Sequence, residues 1–367
     1  MKIECIKERL GEAVGKAEKI AGRNPTLPVL AGLYLKAENN TLSIKATNLD
    51  LGISIIIPVK VIEPGEVVVP AGILSSFLSS LQKEKNITLS LEGQVLEIKA
   101  QSTSASIKTL QSEDFPLIPE VKDDEAFIMP SKDLVQGLRS VVYAAAVGSM
   151  KPELSSIYIH YDGDMLVFAA TDSFRLAEKR IKVKSLPHFK HILLPQKNAQ
   201  ELIRIFDSVD EDVSLSLEEN QAAFKSGNVY LTSRIIDGVF PDYKQIIPKE
   251  TTSTVLVLKQ DLSNSLKTSL IFSDAFHQLR FTVSPTKKVF EIESKNSSIG
   301  ENIYAVPASV EGEELNINVN YKYFTDCFQA INSDTINIRF NGQARPIVMG
   351  GAGDKTFMYL VMPMNRS

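Results

Sequence analysis

Thr41-Leu-Ser-Ile-Lys-Ala-Thr-Asn48 reads as a strand running into a polar turn, and the pattern recurs. Met165-Leu-Val-Phe-Ala-Ala-Thr-Asp172 repeats it 124 residues later, and Val289-Phe-Glu-Ile-Glu-Ser-Lys-Asn296 another 124 residues on. A fixed spacing of this length marks repeated structural units, and it governs how the rest of the chain is read. Ahead of each strand lies an amphipathic helix with apolar residues four apart: Ile6, Leu10 and Val14; Leu134, Leu138 and Val142; Leu262, Leu266 and Leu270. Lys132-Asp133 and Gln260-Asp261 are suitable starts for the second and third of these. Behind each strand a second helix is predicted, over 73–81 after Val67-Val-Val-Pro70, 199–206 after Ile192-Leu-Leu-Pro195, and 321–331 after 315–319. Each unit then closes on a strand that meets a proline, at Phe115-Pro116, Phe240-Pro241 and Met362-Pro363, where the ring removes a ladder donor.

Between the helices run short alternating segments such as Leu89-Ser-Leu-Glu-Gly-Gln-Val-Leu-Glu-Ile-Lys99, Val213-Ser-Leu-Ser-Leu217 and Ile336-Asn-Ile-Arg-Phe340, separated by Gly, Asn and Asp turns. That is antiparallel sheet. The predicted fold class is α+β, with three repeated domains of two helices and about eight strands, helices covering one face of the sheet. The polar segments Lys122-Asp-Asp-Glu125 and Lys249-Glu-Thr-Thr-Ser253 place the boundaries at 1–124, 125–249 and 250–367.

With 44% hydrophobic and 23% charged residues the chain carries enough apolar material for separate cores. Its two cysteines, Cys5 and Cys327, form no CxxC pair, so neither a disulfide framework nor a zinc site is indicated and a reducing, cytoplasmic setting is expected. The start MKIECIKERL lacks the apolar core of a signal peptide, and no apolar run approaches a membrane span. A net charge of -4 argues against a chain coated in nucleic acid through overall basicity, but not against a local positive surface. No constellation for catalysis emerges. Met349-Gly-Gly-Ala-Gly-Asp354 opens no helix and reads as a hairpin turn. His188 and His191 sit together in a loop reading, apart from His160 and His277, with no acidic partner nearby. Acidic pairs such as Asp123-Asp124, Glu218-Glu219 and Glu313-Glu314 fall in polar loops, and no serine has a nucleophile-elbow context.

Four motifs in this order, Asn24-Pro-Thr-Leu-Pro28, Ala170-Thr-Asp-Ser-Phe-Arg-Leu-Ala177, Ile236-Asp-Gly-Val-Phe-Pro-Asp-Tyr243 and Tyr359-Leu-Val-Met-Pro-Met364, span the whole chain. Together they resemble the beta subunit of bacterial DNA polymerase III, the sliding clamps. The resemblance implies three copies of a two-helix domain, with two subunits head to tail in a closed ring around duplex DNA. It also implies no catalytic site, cofactor or metal of its own. Geometry favours a dimer if helices line the hole. Six helices about 10 Å wide would leave a bore of only about 9 Å, whereas twelve leave about 28 Å, enough for a duplex about 20 Å across. Over the six helical segments Lys and Arg exceed Asp and Glu by six, leaving -10 on the remainder, as a phosphate-facing lining requires.

By the family motifs, the candidate DNA contacts are Arg23, Asn24, Lys151, Lys197 and Arg204. The matching positions of a groove for partner peptides are Leu154, Thr171, Ser173, Arg175, Leu176, Pro241, Ile246, Tyr323, Leu360, Val361, Met362, Pro363 and Met364. Subunit contact is expected through Ala105 and Ile107 on one side and Ile271 and Phe272 on the other. Expected partners are a second copy, duplex DNA, the polymerase III catalytic subunit, the clamp loader, and other polymerases and repair proteins carrying short peptide motifs. The chain departs from the family pattern at Asn24, Gly72-Ile73, Phe174 and Gln245, and adds Asn365-Arg-Ser367. Without the family pattern, Leu-Val-Met and Arg-Leu-Ala would read simply as core strands. The competing function is a repeat-built peptide adaptor that does not encircle DNA. An enzyme with its site formed between subunits has no acid, base or nucleophile to support it.

Overall fold

The computed structural model describes residues 1–22, 27–82, 84–121, 126–148, 150–183, 189 and 191–364. Arg23, Asn24, the boundary segment 122–125, His188 and the added residues 365–367 lie outside the described residues.

In chain order the first repeat runs β1 (Lys2–Ile6), α1 (Lys7–Glu18), β2 (Gly32–Glu38), β3 (Thr41–Thr47), β4 (Leu51–Pro58), β5 (Lys60–Glu63), β6 (Gly65–Pro70), α2 (Ala71–Ser80), β7 (Asn86–Glu92), β8 (Val95–Lys99) and β9 (Ser104–Lys108). The second follows as β10 (Phe127–Pro130), α3 (Ser131–Arg139), β11 (Ser156–Asp162), β12 (Met165–Thr171), β13 (Arg175–Lys182), β14 (Ile192–Pro195), α4 (Gln196–Phe206), β15 (Asp212–Glu218), β16 (Gln221–Ser226) and β17 (Val229–Arg234). The third comprises β18 (Ser253–Leu258), α5 (Lys259–Ile271), β19 (Gln278–Ser284), β20 (Val289–Asn296), β21 (Gly300–Val306), β22 (Ala308–Gly312), β23 (Leu315–Asn320), α6 (Tyr321–Thr325), β24 (Thr335–Phe340), β25 (Ile347–Gly351) and β26 (Phe357–Val361). The three segments 124 residues apart are β3, β12 and β20. Each is the middle strand of a three-stranded meander, between β2 and β4, β11 and β13, or β19 and β21.

Two compact units form, Met1–Leu134 with Glu201–Ile235 and Val135–Gln200 with Ile236–Ser367. The first unit holds sheets β5-β1-β7-β8-β9 and β10-β15-β16-β17-β4-β3-β2-β6. The second holds β14-β11-β12-β13-β26-β25-β24-β18-β22 and β21-β20-β19-β23. Every pairing among the described residues is antiparallel, so the middle repeat is divided: β15–β17 complete a sheet of the first repeat through β17 and β4, and β11–β14 complete a sheet of the third through β13 and β26.

Three local expectations are corrected. Phe115-Pro116 and Phe240-Pro241 end no strand; their apolar signal comes from loop rings packed on sheet residues, Phe115 on Tyr34 at 5.3 Å and Phe240 on Tyr158 at 4.9 Å between centroids. The helix read to Val142 stops at Arg139 and gives way to a 3-10 turn over Val142–Ala144. The helix read over 321–331 is α-helical only to Thr325, then 3-10. There Thr325 Oγ1 donates to the Tyr321 carbonyl at 3.0 Å, a side-chain bond that competes with the helical ladder. The glycine-rich segment is a hairpin turn between β25 and β26, as its sequence indicates.

Candidate functional site

The second unit gathers most of the family-motif residues around the turn joining β12 to β13. Asp172 organises that turn: its Oδ1 accepts the backbone N–H of Phe174 at 3.0 Å and of Arg175 at 3.1 Å. Thr171 Oγ1 donates to the Arg175 carbonyl at 2.7 Å and accepts from the Ser173 N–H at 3.2 Å. Ser173 therefore sits at φ +78°, a left-handed conformation uncommon for a side chain other than Asn, Asp or Gly, and the turn presents Ser173 and Phe174 to solvent.

Strand alternation then sorts the neighbouring residues onto two faces. Register pairs Leu176 with Leu360 and Arg175 with Val361. On one face Ala169, Leu176, Leu193, Val348 and Leu360 form a buried cluster, covered by Phe240 and Tyr243 from the segment that follows β17, with Met362 packed at its margin. Pro241 and Ile246 of that covering segment remain exposed, Ile246 at 48%. The same segment is held to the sheet by the Ile236 N–H donating to the Leu193 carbonyl at 2.9 Å. On the opposite face Tyr359 packs at 6.0 Å from Tyr143, and Phe168 lies against Gly137 of α3.

Arg175 belongs to that second face. Its guanidinium lies 4.6 Å above the Tyr323 ring, donates from Nε to Asp172 Oδ2 at 2.9 Å and pairs with Asp326. Burial alone would lower its pKa, but Tyr359, Asp172 and Asp326 outweigh it and hold the group above its ordinary value. Burial likewise raises the Asp326 carboxyl despite the arginine beside it. Phe174 stacks on Tyr323 at 6.1 Å, and the Tyr323 carbonyl accepts from Tyr359 Oη at 2.5 Å. The chain end is tied down at two points, the Met362 N–H donating to the Phe174 carbonyl and the Met364 N–H to the Asn318 carbonyl, both at 2.8 Å.

The fold thus brings together Ser173, Pro241, Ile246, Tyr323, Met362, Pro363 and Met364 as exposed or half-buried surface around the buried floor of Leu176 and Leu360. Thr171 and Leu154 are buried at 6% and 7%, and Val361 is fully buried on the face opposite Leu176 and Leu360. Sequence reading passed over the polar network under the covering segment. Tyr243 Oη donates to buried Glu178 Oε2 at 2.5 Å, Arg180 Nε donates to Glu178 Oε1 at 2.8 Å, and His160 Nε2 lies 3.3 Å from the tyrosine hydroxyl. Burial, then the Glu178 charge, keeps the Tyr243 hydroxyl protonated far above its ordinary range. The available signal was Glu178 and Arg180 two residues apart, on one face of a strand that pairs with the largely apolar β12.

Lys151, Lys197 and Arg204 are solvent-exposed, and Arg204 pairs with Glu201 of its own helix at 2.5 Å. β9 and β21 are end strands of their sheets. Ile271 is 64% exposed, Phe272 and Ala105 are half-buried, and Ile107 is buried within its own unit at 5%. No cluster of His, Cys, Asp and Glu among the described residues would hold a metal, and no described helix is long and apolar enough to cross a membrane.

Three antiparallel α+β repeats of two helices each define the class of DNA clamps. Models of the N-terminal, central and C-terminal domains of the DNA polymerase III beta subunit match residues 1–119, 123–242 and 244–365. The chain belongs to this family. The beta sliding clamp of Synechococcus elongatus is 29% identical over 371 residues, 99% of each chain. The crystal structure of the Bacillus subtilis sliding clamp superposes with a TM-score of 0.94 at 26% identity, covering 100% of both chains. A Pseudomonas aeruginosa clamp bound to griselimycin gives a TM-score of 0.94 at 25% identity over 100% of both.

Proposed function

We propose that this chain is a processivity factor: two copies close into a ring around duplex DNA and tether DNA polymerases and other DNA-processing proteins through the groove beside Met362, without a catalytic site of their own. Family membership supports the sliding-clamp reading, and the observation that carries the tethering is the half-buried Met362 packed at the margin of the Leu176 and Leu360 cluster, with Ile246 exposed on the segment that covers it. The unpaired outer edges of β9 and β21 suit head-to-tail closure by strand pairing between copies, with Ile271 and Phe272 covered at the join. Arg23, Asn24, Lys151, Lys197 and Arg204 would then meet phosphates, the cytoplasm being the compartment and the polymerase III catalytic subunit and clamp loader the principal partners. Phosphate contacts of this kind are diffuse and salt-sensitive, so retention is topological.

The test loads the protein on a nicked circle and raises the salt. A mass of twice 40.5 kDa in solution, survival on the circle and release on cutting it are expected. Release from the closed circle as fast as from linear DNA would leave only a peptide adaptor.

A further inference from the structure

Arg204 differs from the other described cations proposed to meet phosphates, because it already has an acidic partner. Helix α4 buries Leu202, Ile205 and Phe206, and the three-residue step from Glu201 to Arg204 brings the two charged side chains together outside that core. Glu201 precedes Ile205 by four residues, so it stands at the margin of the buried stripe: its side chain is 19% exposed, against 58% for Arg204. Arg204 Nη1 donates to Glu201 Oε1 at 2.5 Å. Among the described residues, Lys151 and Lys197 are exposed and pair with no carboxylate.

The second carboxylate oxygen makes this more than a passing surface contact. Glu201 Oε2 is buried and, among the described residues, has no hydrogen-bond partner. A carboxylate with one oxygen out of water depends on the cation at the other, because a buried charge left unpaired is costly. Glu201 and Arg204 therefore stay together, and for a phosphate approaching from solvent their charges cancel. The guanidinium keeps free donors but contributes no net charge, and it is net positive charge on phosphate that releases counterions and drives binding.

Resting on the ring reading above, we infer that Glu201 is a built-in competitor of DNA phosphate for Arg204, a positioning residue that limits the grip of the ring on the duplex. A ring held by encirclement needs no tight phosphate contacts, and each contact it makes must break before it moves along the duplex. Glu201 weakens one such contact in each copy and leaves Lys151 and Lys197 free to meet phosphates.

Equilibrium binding to a short linear duplex over a range of salt tests this, read as the slope of log affinity against log salt. Four proteins are compared: the full chain, Glu201→Gln, Glu201→Gln combined with Arg204→Gln, and Glu311→Gln, which removes an exposed acid of β22. Glu201→Gln should bind about two- to fivefold tighter at low salt, the worth of an exposed ion pair, and its slope should steepen by about 0.9 for each phosphate that Arg204 engages. The double variant and Glu311→Gln should keep the slope of the full chain. An unchanged slope in Glu201→Gln, weaker binding by it, or equal steepening in Glu311→Gln overturns the competitor role while leaving the ring standing. Glu201→Ala takes the place of the glutamine variant if that variant does not sediment as the full chain does. Release of the full chain from a closed circle as fast as from linear DNA overturns the ring reading and this role with it.

Discussion

Tyr243 couples the covering segment to the sheet by a single hydroxyl. Glu178 is 5% exposed, so removing its donor leaves a carboxylate oxygen without a partner in a dry setting. Tyr243→Phe should cost about 1–3 kcal/mol in urea unfolding. It should also loosen peptide binding, because Pro241 and Ile246 share that segment. Unchanged stability would mean that water or Arg180 satisfies Glu178 equally well. His160 makes a separate prediction. It stacks on Tyr158 at 4.7 Å and has Lys244, Asp162, Glu178 and Tyr243 for neighbours. Burial and then the Lys244 charge lower its pKa below 6.5, so the unfolded chain binds the proton more readily than the folded one. Its contribution is thus present above pH 6.5 and lost as pH falls through the folded value. The urea midpoint should drop between pH 7.5 and 5.5, and His160→Gln should flatten the drop. An identical slope in the variant would assign the acid sensitivity to other groups.

At the scale of elements, α3 meets β12 at a contact that ordinary helix preference would not select. Alanine in mid-helix is favoured over glycine by about 1 kcal/mol, yet a Cβ on Gly137 would lie 2.5 Å from the ring of Phe168, which is fully buried. Gly137→Ala should therefore destabilise the protein by roughly 1–3 kcal/mol, read as a lower urea midpoint; a rise would show that the ring has room to move. This contact also shows what the sequence concealed. The repeat was legible because β3, β12 and β20 alternate or run apolar at a fixed spacing, and α5 because its apolar positions keep a four-residue step. The division of the middle repeat between two sheets was not legible. It depends on β17 meeting β4 and β13 meeting β26, pairings far apart in sequence that no local pattern encodes. The candidate groove was half legible: its residues are those that the family motifs imply. Only register shows that Val361 and Arg175 face the helices while Leu176 and Leu360 face the covering segment.

For the whole molecule the decisive surfaces are those a single copy leaves uncovered. Ile271 is 64% exposed beside the end strand β21, and burying it with Phe272 against a second copy should stabilise closure by several kcal/mol, about 1.5–3 for each large apolar side chain. Replacing both by alanine should give a folded monomer in sedimentation at low micromolar concentration; a persistent dimer would place the interface elsewhere. The tail provides the complementary prediction. β26 ends at Val361, so deleting Met362 to Ser367 leaves the ladder to β13 intact and removes only Met362, Pro363, Met364 and the residues beyond them. What is lost is the flexible thioether at the margin of the apolar cluster and the two backbone bonds to Phe174 and Asn318. A bound peptide burying two large apolar side chains gains about 3–6 kcal/mol from them before the cost of ordering it, short of the roughly 8 kcal/mol of a 1 μM complex, so binding is weak and partners exchange readily. Removing one wall of so weak a site should abolish detectable peptide binding and polymerase stimulation, while mass in solution and retention on circular DNA stay those of the intact chain. If the truncated protein binds the peptide as tightly as before, Met362 serves only the core of the sheet, and the partner contact must rest on Ile246 and the Ser173 turn alone.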